Sequence, residues 1–194
     1  MIRIGSLFPG HLNLNGDMAN ADILSYYLKL AGLEHEIAKI ESLVDTDFDF
    51  VVIGHGSSAA WRNLPPARDI AKFITQLNQQ GATCLLIGSA VTKLSEPLGF
   101  SKVEKLSDRE SVFVAENHEQ HELIGYRNTE YAIPNFYESG NIWLSALHGP
   151  LLAKNPWLVE KFFIKHGLEF RSLPVQIQRT TEAARQLARE QSGS

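Results

Sequence analysis

Two short apolar runs, each followed immediately by glycine, constrain the fold of this chain more than any other feature of its sequence. Residues 47–53 (DFDFVVI) end in four consecutive apolar residues that lead into Gly54, and residues 83–87 (TCLLI) end in four that lead into Gly88. Such runs of consecutive apolar residues are typical of strands that are buried on both faces of a parallel sheet. We therefore predict two buried strands, each with a sharp turn and a loop at its carboxyl end.

Segments with a helical spacing of apolar residues separate the predicted strands. The pattern predicts a first helix that Asp17 or Asn20 can cap and that ends at Gly32, and a second from Pro65 to about Gln79. Further strands are predicted at residues 2–5, 35–40 and 141–146, and further helices at residues 89–94 and 155–165. The alternation of strands with helices indicates right-handed crossovers and a mostly parallel sheet.

The second half of the chain departs from this alternation. Residues 111–115 and 122–126 are short runs separated by the polar residues 116–121, which predicts a hairpin and an antiparallel portion of the sheet. Residues 176–190 are polar and rich in Ala, Arg and Glu, which predicts an exposed C-terminal helix. Because no repeat or linker interrupts the sequence, we expect one α/β domain over residues 1–194.

Charge and cysteine content exclude several classes of function. The formal net charge of -4 argues against a nucleic-acid-binding protein, which normally carries a basic field. No run approaches the roughly 20 apolar residues of a membrane span, and the N-terminus lacks the pattern of a leader. The single cysteine, Cys84, can form neither an internal disulfide nor a metal cluster. We therefore expect a cytoplasmic protein with no metal, no cofactor, no nucleic-acid partner and no membrane association.

Three segments resemble a known family. Residues 141–156 (NIWLSALHGPLLAKNP) are similar to a strand that ends in the signature Tyr-Leu-His-Gly-Pro-Leu-Leu-x-x-Asn-Pro. Residues 6–20 resemble an opening with an asparagine-containing loop and a Gly-Asp pair, and residues 125–128 (GYRN) resemble a Gly-Phe-Glu-Asn segment. These segments are features of class I glutamine amidotransferases of the cobyric-acid-synthase (CobB/CobQ) and GatD type. With the order of elements included, the resemblance covers most of residues 1–166.

The resemblance implies a class I amidotransferase-like, flavodoxin-like fold, in which helices flank a mostly parallel sheet with a mixed antiparallel portion. In this family a cysteine on a strand-to-helix elbow hydrolyses glutamine and releases ammonia for a partner synthetase. Such a thiol needs backbone N–H groups that stabilise the oxyanion and an imidazole that moves the proton. His148 matches the histidine of this catalytic pair.

The elbow of this chain departs from the family pattern. The family's Ile-Cys-Gly-Gly-Tyr-Gln is matched by residues 87–92 (IGSAVT), which places Gly88 at the position of the nucleophile. Glycine has no side chain, so an acyl-enzyme cannot form there, and we expect His148 to be a remnant of the catalytic pair. A histidine that simply caps the following turn is the alternative explanation. Two substitutes remain open. Ser89 carries a hydroxyl, although a shift of one residue changes its direction, and Cys84 lies inside a strand, where cysteine is usually a small hydrophobe.

The resemblance also suggests residues that bind a ligand. Gly54 and Gly56 match two glycines of the family's Gly-Gly-Gly-Gln oxyanion loop, and a turn that simply requires glycine is the alternative explanation. Arg109 matches an arginine that binds the carboxylate of glutamine, with an exposed surface arginine as the alternative. We therefore take these three as the candidate ligand-binding residues.

These features predict a degenerate amidotransferase-like subunit without glutaminase activity. It would bind a small molecule such as glutamine, or assist a Mur-ligase-like synthetase in cell-wall or cobalamin biosynthesis. The alternative is an active amidotransferase or hydrolase that uses Ser89 or another nucleophile. A flavodoxin-like nucleotide binder is a third possibility, but the sequence lacks a glycine-rich phosphate-binding motif.

Overall fold

Strands and helices alternate along the first half of the chain, and a hairpin follows. A computed structural model describes residues 1–192. Its strands are β1 (Ile2–Leu7), β2 (His35–Ile40), β3 (Phe50–Ile53), β4 (Thr83–Ile87), β5 (Lys105–His118), β6 (His121–Tyr131), β7 (Tyr137–Ser139), β8 (Ile142–Ser145) and β9 (Leu147–His148). Its helices are α1 (Ala19–Leu30), α2 (Ser58–Arg62), α3 (Ala67–Gln79), α4 (Ser89–Leu94), α5 (Leu151–Lys154), α6 (Pro156–Lys165) and α7 (Val175–Ser192).

The central sheet has the strand order β2-β1-β3-β4-β8-β7. The pairs from β2 across to β8 are parallel, whereas β7 pairs with β8 in the antiparallel direction. β3 and β4 are buried at every position, which explains why their residues are apolar without alternation. The predicted α/β fold, with a mostly parallel sheet flanked by helices and an antiparallel portion, is therefore confirmed.

The hairpin is longer than the sequence predicts, and it forms a sheet of its own. β5, β6 and β9 make a three-stranded antiparallel sheet, and the register pairs His118 with His121 across a two-residue turn. Most of β5 is exposed, so polar residues can occupy the strand beyond the short runs at 111–115 and 122–126. Because β9 pairs with β6, this sheet holds His148 opposite Tyr126.

The start of α1 differs from the prediction. The helix begins at Ala19, and the preceding Met18 provides no side-chain cap. Asp17 and Asn20 are both fully buried and bind segments that are distant in sequence. Long-range hydrogen bonds have therefore replaced the local capping role that we expected of them. The predicted end of the helix is confirmed, because Gly32 has the positive φ of +74° that a helix C-terminus favours.

Two further helices affect the regions discussed below. α2 was not predicted, and Ser57 begins it by accepting a hydrogen bond from the Ala60 N–H at 3.1 Å. α7 corresponds to the polar C-terminal segment, and of its side chains only Ala188 is buried. Within residues 1–192, no helix combines the length and apolar character that crossing a bilayer would require.

Candidate functional site

The loops that follow the central strands meet at one edge of the sheet. Asp17 follows β1, His55 follows β3, Gly88 follows β4, and His148 ends β9. Hydrogen bonds and a ring contact connect Asp17, His55 and His148, and a further hydrogen bond joins His55 to Ser89, the residue after Gly88. The site predicted from the elbow and His148 is therefore a contiguous cluster, which also includes Asp17 and His55.

Gly88 has the backbone geometry of a sharp strand-to-helix turn. Its φ of 58° and ψ of -115° lie in a region that residues with a side chain rarely adopt. Its N–H donates to the Ser145 carbonyl at 2.9 Å, and α4 begins at the next residue. The elbow is therefore present although its side chain is not.

Two histidine rings occupy the space where a nucleophile at the elbow would lie. A Cβ added at Gly88 would lie 2.6 Å from Cε1 of His148 and 2.6 Å from Nδ1 of His55. Real Cβ atoms essentially never approach other heavy atoms this closely. The two rings contact each other edge to face, with centroids 4.9 Å apart and an interplanar angle of 90°. With the rings in these positions, the elbow has neither a nucleophilic side chain at Gly88 nor room for one.

Both ring nitrogens of His148 are engaged. Nδ1 lies 2.9 Å from the Asn15 side-chain amide, and Nε2 lies 3.1 Å from the Asn128 carbonyl oxygen. Because a carbonyl can only accept, we assign the proton to Nε2 and the accepting lone pair to Nδ1. The ring therefore turns its Cε1–H edge toward Gly88, and no free lone pair faces the elbow.

The Asp17 side chain connects the loop that contains His55 to the turn that follows His148. Its side chain is fully buried, with one carboxylate oxygen accepting the His55 N–H at 2.8 Å and the other accepting the Gly149 N–H at 2.9 Å. The second oxygen also lies 3.7 Å from Nδ1 of His148. Two charge-assisted hydrogen bonds to backbone groups make this carboxylate a positioning residue for both histidine loops.

His55 fixes the elbow from the other side. Its Nδ1 accepts the Ser89 N–H at 3.1 Å, so the proton of the neutral ring is on Nε2. Burial of the ring, with a smaller contribution from His148, lowers the pKa of His55 to about 4. The ring is consequently neutral at pH 7 and can keep accepting this hydrogen bond.

The two substitute nucleophiles, Ser89 and Cys84, are both held in environments that do not activate them. The Ser89 hydroxyl donates to the Gly56 carbonyl at 2.9 Å and accepts from the Gly56 N–H and the Trp61 indole N–H, both at 2.8 Å. Its proton is thus held by a carbonyl rather than by a histidine base. Cys84 is fully buried within β4, and this burial raises the pKa of its thiol to about 12.

A cavity of about 180 Å³ adjoins Gly88 between the glycine loop and the hairpin. Gly56 and Arg109 line it, and the exposed Arg109 is oriented by a 2.7 Å hydrogen bond from its Nε to the Asn128 side chain. Gly54 does not line it, because this residue packs so tightly that an added Cβ would lie 2.2 Å from the Leu12 carbonyl oxygen. The structure therefore brings two of the three predicted ligand-binding residues together and places the third behind the loop.

Sequence reasoning missed two members of the cluster. Asp17 stood in the Gly-Asp pair of the family-like opening, but the sequence suggested a helix cap for it. His55 lies between Gly54 and Gly56, the two residues of this loop that matched the family, and the sequence assigned it no role. The place of Asp17 in the Gly-Asp pair after the first strand was the available signal, whereas the ring contact of His55 depends on the folded geometry alone.

No family model matches this chain, and no curated protein matches it. Among solved structures, a glutamine amidotransferase from Thermotoga maritima is similar over 97% of this chain and 94% of its own, with 11% identity and a TM-score of 0.52. The chain has a glutamine amidotransferase-like fold. A proposed transcriptional regulator from Vibrio parahaemolyticus is similar over 95% of this chain and 100% of its own, with 12% identity and a TM-score of 0.53. At these identities the likeness shows the fold alone.

Proposed function

We propose that this chain is a degenerate amidotransferase-like subunit that does not hydrolyse glutamine and acts by binding a ligand or a partner protein. The observation that carries the proposal is the geometry at Gly88, where His55 and His148 fill the space of a nucleophile. Covalent catalysis requires a nucleophile with an activating base in reach. At this elbow Gly88 provides no nucleophile, and the accepting nitrogen of each neighbouring imidazole is already hydrogen-bonded, which supports a role without the acyl-enzyme.

The hydrogen bonding of Ser89 favours the binding role over the alternative of an active hydrolase. Its hydroxyl donates one hydrogen bond to the loop at Gly56 and accepts two, from the same loop and from Trp61 of α2. Attack by this oxygen would break those contacts and would still require a base. The binding role needs no such rearrangement.

The cavity beside Gly88 suggests what would be bound. Lys93 and Arg109 provide positive charge on its wall, and Glu130, which also pairs with Lys105 at 3.3 Å, provides negative charge. This combination suits a zwitterion such as an amino acid. Its volume of about 180 Å³ is small, so the ligand of this proposal is of the size of glutamine. A Mur-ligase-like synthetase is the partner that the sequence resemblance suggests.

A glutaminase assay with ammonia detection tests the loss of catalysis. We expect no turnover from the wild-type protein, and no turnover from Gly88→Cys, because the two rings leave no room for the thiol. Turnover that disappears in His148→Ala would overturn the proposal. Labelling by an electrophilic glutamine analogue, located at Ser89 by mass spectrometry, would instead establish the hydrolase alternative.

Calorimetric titration with L-glutamine tests the binding role. Because a hydrogen bond to a charged group contributes about 1.5–3 kcal/mol, Arg109→Ala should weaken binding about tenfold or more. Arg68→Ala is the matched control, since its side chain is 84% exposed and lies outside the cavity. Equal affinity in both variants would show that Arg109 does not contact the ligand. If the wild-type protein does not bind glutamine, the proposal reduces to a role in binding a partner protein.

A further inference from the structure

A second cavity, of about 420 Å³, lies beneath α7. Its walls come from α1, the start of β6, the start of α6, the segment at residues 170–173 and one side of α7. Among the described residues, none lines both this cavity and the one beside Gly88. Its volume lies within the range of about 300–1,000 Å³ that is typical of small-molecule sites.

Two buried polar atoms on residues that line this cavity have no hydrogen-bond partner. They are the Tyr27 hydroxyl and the Trp157 indole nitrogen, and they are the only such buried side-chain atoms found within residues 1–192. Buried polar groups are almost always paired, because leaving one unpaired costs about 1–3 kcal/mol. It is therefore significant that both exceptions lie on residues that line a single cavity.

Both atoms require an acceptor. An indole N–H can only donate, so nothing but an acceptor satisfies Trp157. Tyr27 is 3% exposed, and burial raises the pKa of its hydroxyl above the usual range, which keeps its proton in place. Two residues that line the cavity thus each carry a buried, unpaired group that can donate a hydrogen bond.

Aromatic rings form much of the remaining wall. Tyr27 stacks on Phe170 with centroids 5.7 Å apart, and Trp157 stacks on His121 with centroids 4.9 Å apart and an interplanar angle of 4°. All four residues line the cavity. Flat, rigid walls of this kind favour a planar apolar body in the ligand.

The charged groups at the rim are already paired with one another. Glu122 accepts from Arg185 at 2.8 Å and from Arg189 at 2.7 Å, and Arg189 also pairs with Glu182 at 2.7 Å. An ionic ligand would have to displace one of these partners, whereas a neutral one would not. The same ion pairs hold α7 against the body and keep the cavity covered.

We propose that the cavity beneath α7 binds a small, neutral, planar aromatic molecule whose carbonyl or ring nitrogen accepts a hydrogen bond from Trp157, with Tyr27 as the second donor. The site is separate from the elbow, and it does not depend on whether the elbow has activity. Its ligand class follows from two unpaired donors, stacked aromatic walls and a rim with no spare charge.

Coumarin, a planar bicycle with one carbonyl and no donor, is a suitable probe for nuclear magnetic resonance. The chain has three tryptophans, so three indole N–H signals are expected. The signal that disappears in Trp157→Phe is that of the Trp157 indole. Added coumarin should move the Trp157 signal downfield and leave the Trp143 signal in place. Naphthalene, which has the same shape and no acceptor, should bind about fivefold more weakly, because one hydrogen bond is lost.

Substitutions separate the contribution of the hydrogen bond from non-specific hydrophobic binding. Trp157→Phe should weaken coumarin binding about fivefold, whereas the control Trp143→Phe, whose indole already donates to Glu138 at 3.2 Å, should leave it unchanged. Tyr27→Phe should also weaken binding while raising the Tm of the free protein by about 2–4 °C, since an unpaired buried group is removed. No coumarin binding at millimolar concentration, or equal affinity in Trp157→Phe and the wild type, would overturn the proposal.

Discussion

Replacing Gly88 with alanine measures directly how completely the two histidine rings fill the elbow. The added Cβ would lie 2.6 Å from an atom of each ring, so at least one ring has to move. Neither is free to do so, because Nδ1 of His55 accepts the Ser89 N–H and both nitrogens of His148 are engaged. We therefore expect the substitution to destabilise the fold substantially.

The magnitude follows from two contributions. A side chain at a φ of 58° and a ψ of -115° costs about 1–3 kcal/mol in backbone strain. Displacing one ring breaks one or two hydrogen bonds, which adds about 1–2 kcal/mol. Together these lower the free energy of unfolding by about 2–5 kcal/mol, which for a chain of this size lowers Tm by about 4–20 °C.

Urea denaturation of matched variants separates the two contributions. Gly99→Ala is the control for strain alone, since Gly99 has a φ of +85° and nothing within 4 Å of an added Cβ. We expect it to cost only about 1–2 kcal/mol. In a background with His55→Ala and His148→Ala, the cost of Gly88→Ala should fall to the strain contribution. If Gly88→Ala costs no more than Gly99→Ala, the rings yield freely and the site still has room for a nucleophile.

Three further predictions concern charge. The folded-state pKa of His55, about 4, lies below its unfolded value near 6.5, so the unfolded state binds more protons between these values. The contribution of neutral His55 to the free energy of unfolding should therefore be fully present above pH 6.5. It should fall by about 1–2 kcal/mol toward pH 4, after allowance for solvent screening. His55→Asn should flatten this part of the pH profile measured by urea denaturation. Asp17→Asn replaces an acceptor of two backbone N–H groups with an amide that can accept at only one oxygen, and should cost about 2–4 kcal/mol in urea denaturation. Glu122→Gln should speed amide hydrogen exchange in residues 175–192, as should high salt in the wild type, because both weaken the ion pairs with α7; exchange that is unchanged in both would show that other contacts hold the helix.

The strands that were easiest to predict are those in which every residue has the same degree of burial. β3 and β4 are buried on both faces, so an unbroken apolar run and a following glycine were sufficient to find them. The hairpin was underestimated because β5 is exposed at most positions. A strand in that environment carries no apolar pattern, and its polar end resembles a loop.

The site was predictable only in outline, because its central contacts join residues that are far apart in sequence. Asp17 and Asn20 have the residue types of a helix cap, yet Asp17 reaches Gly149 and Asn20 reaches Leu152, each 132 positions away. Buried long-range hydrogen bonds won over local capping because an unpaired carboxylate or amide in the core would be costly. That His55 fills the space beside Gly88 depends on the meeting of two loops, and no local pattern encodes it.

The family-like segment around His148 can be explained without catalysis. Asn155 binds both the N–H and the carbonyl of Ile124 at 2.8 Å, which ties the hairpin to the start of α6. Gly149 has a φ of +75° and donates its N–H to Asp17, so both its flexibility and its backbone group are used. Each of these roles fixes the scaffold and would be needed whether or not a nucleophile stood at the elbow. The resemblance in this segment is therefore informative about the fold, and the question of activity depends on Gly88 and on the two rings that occupy the space beside it.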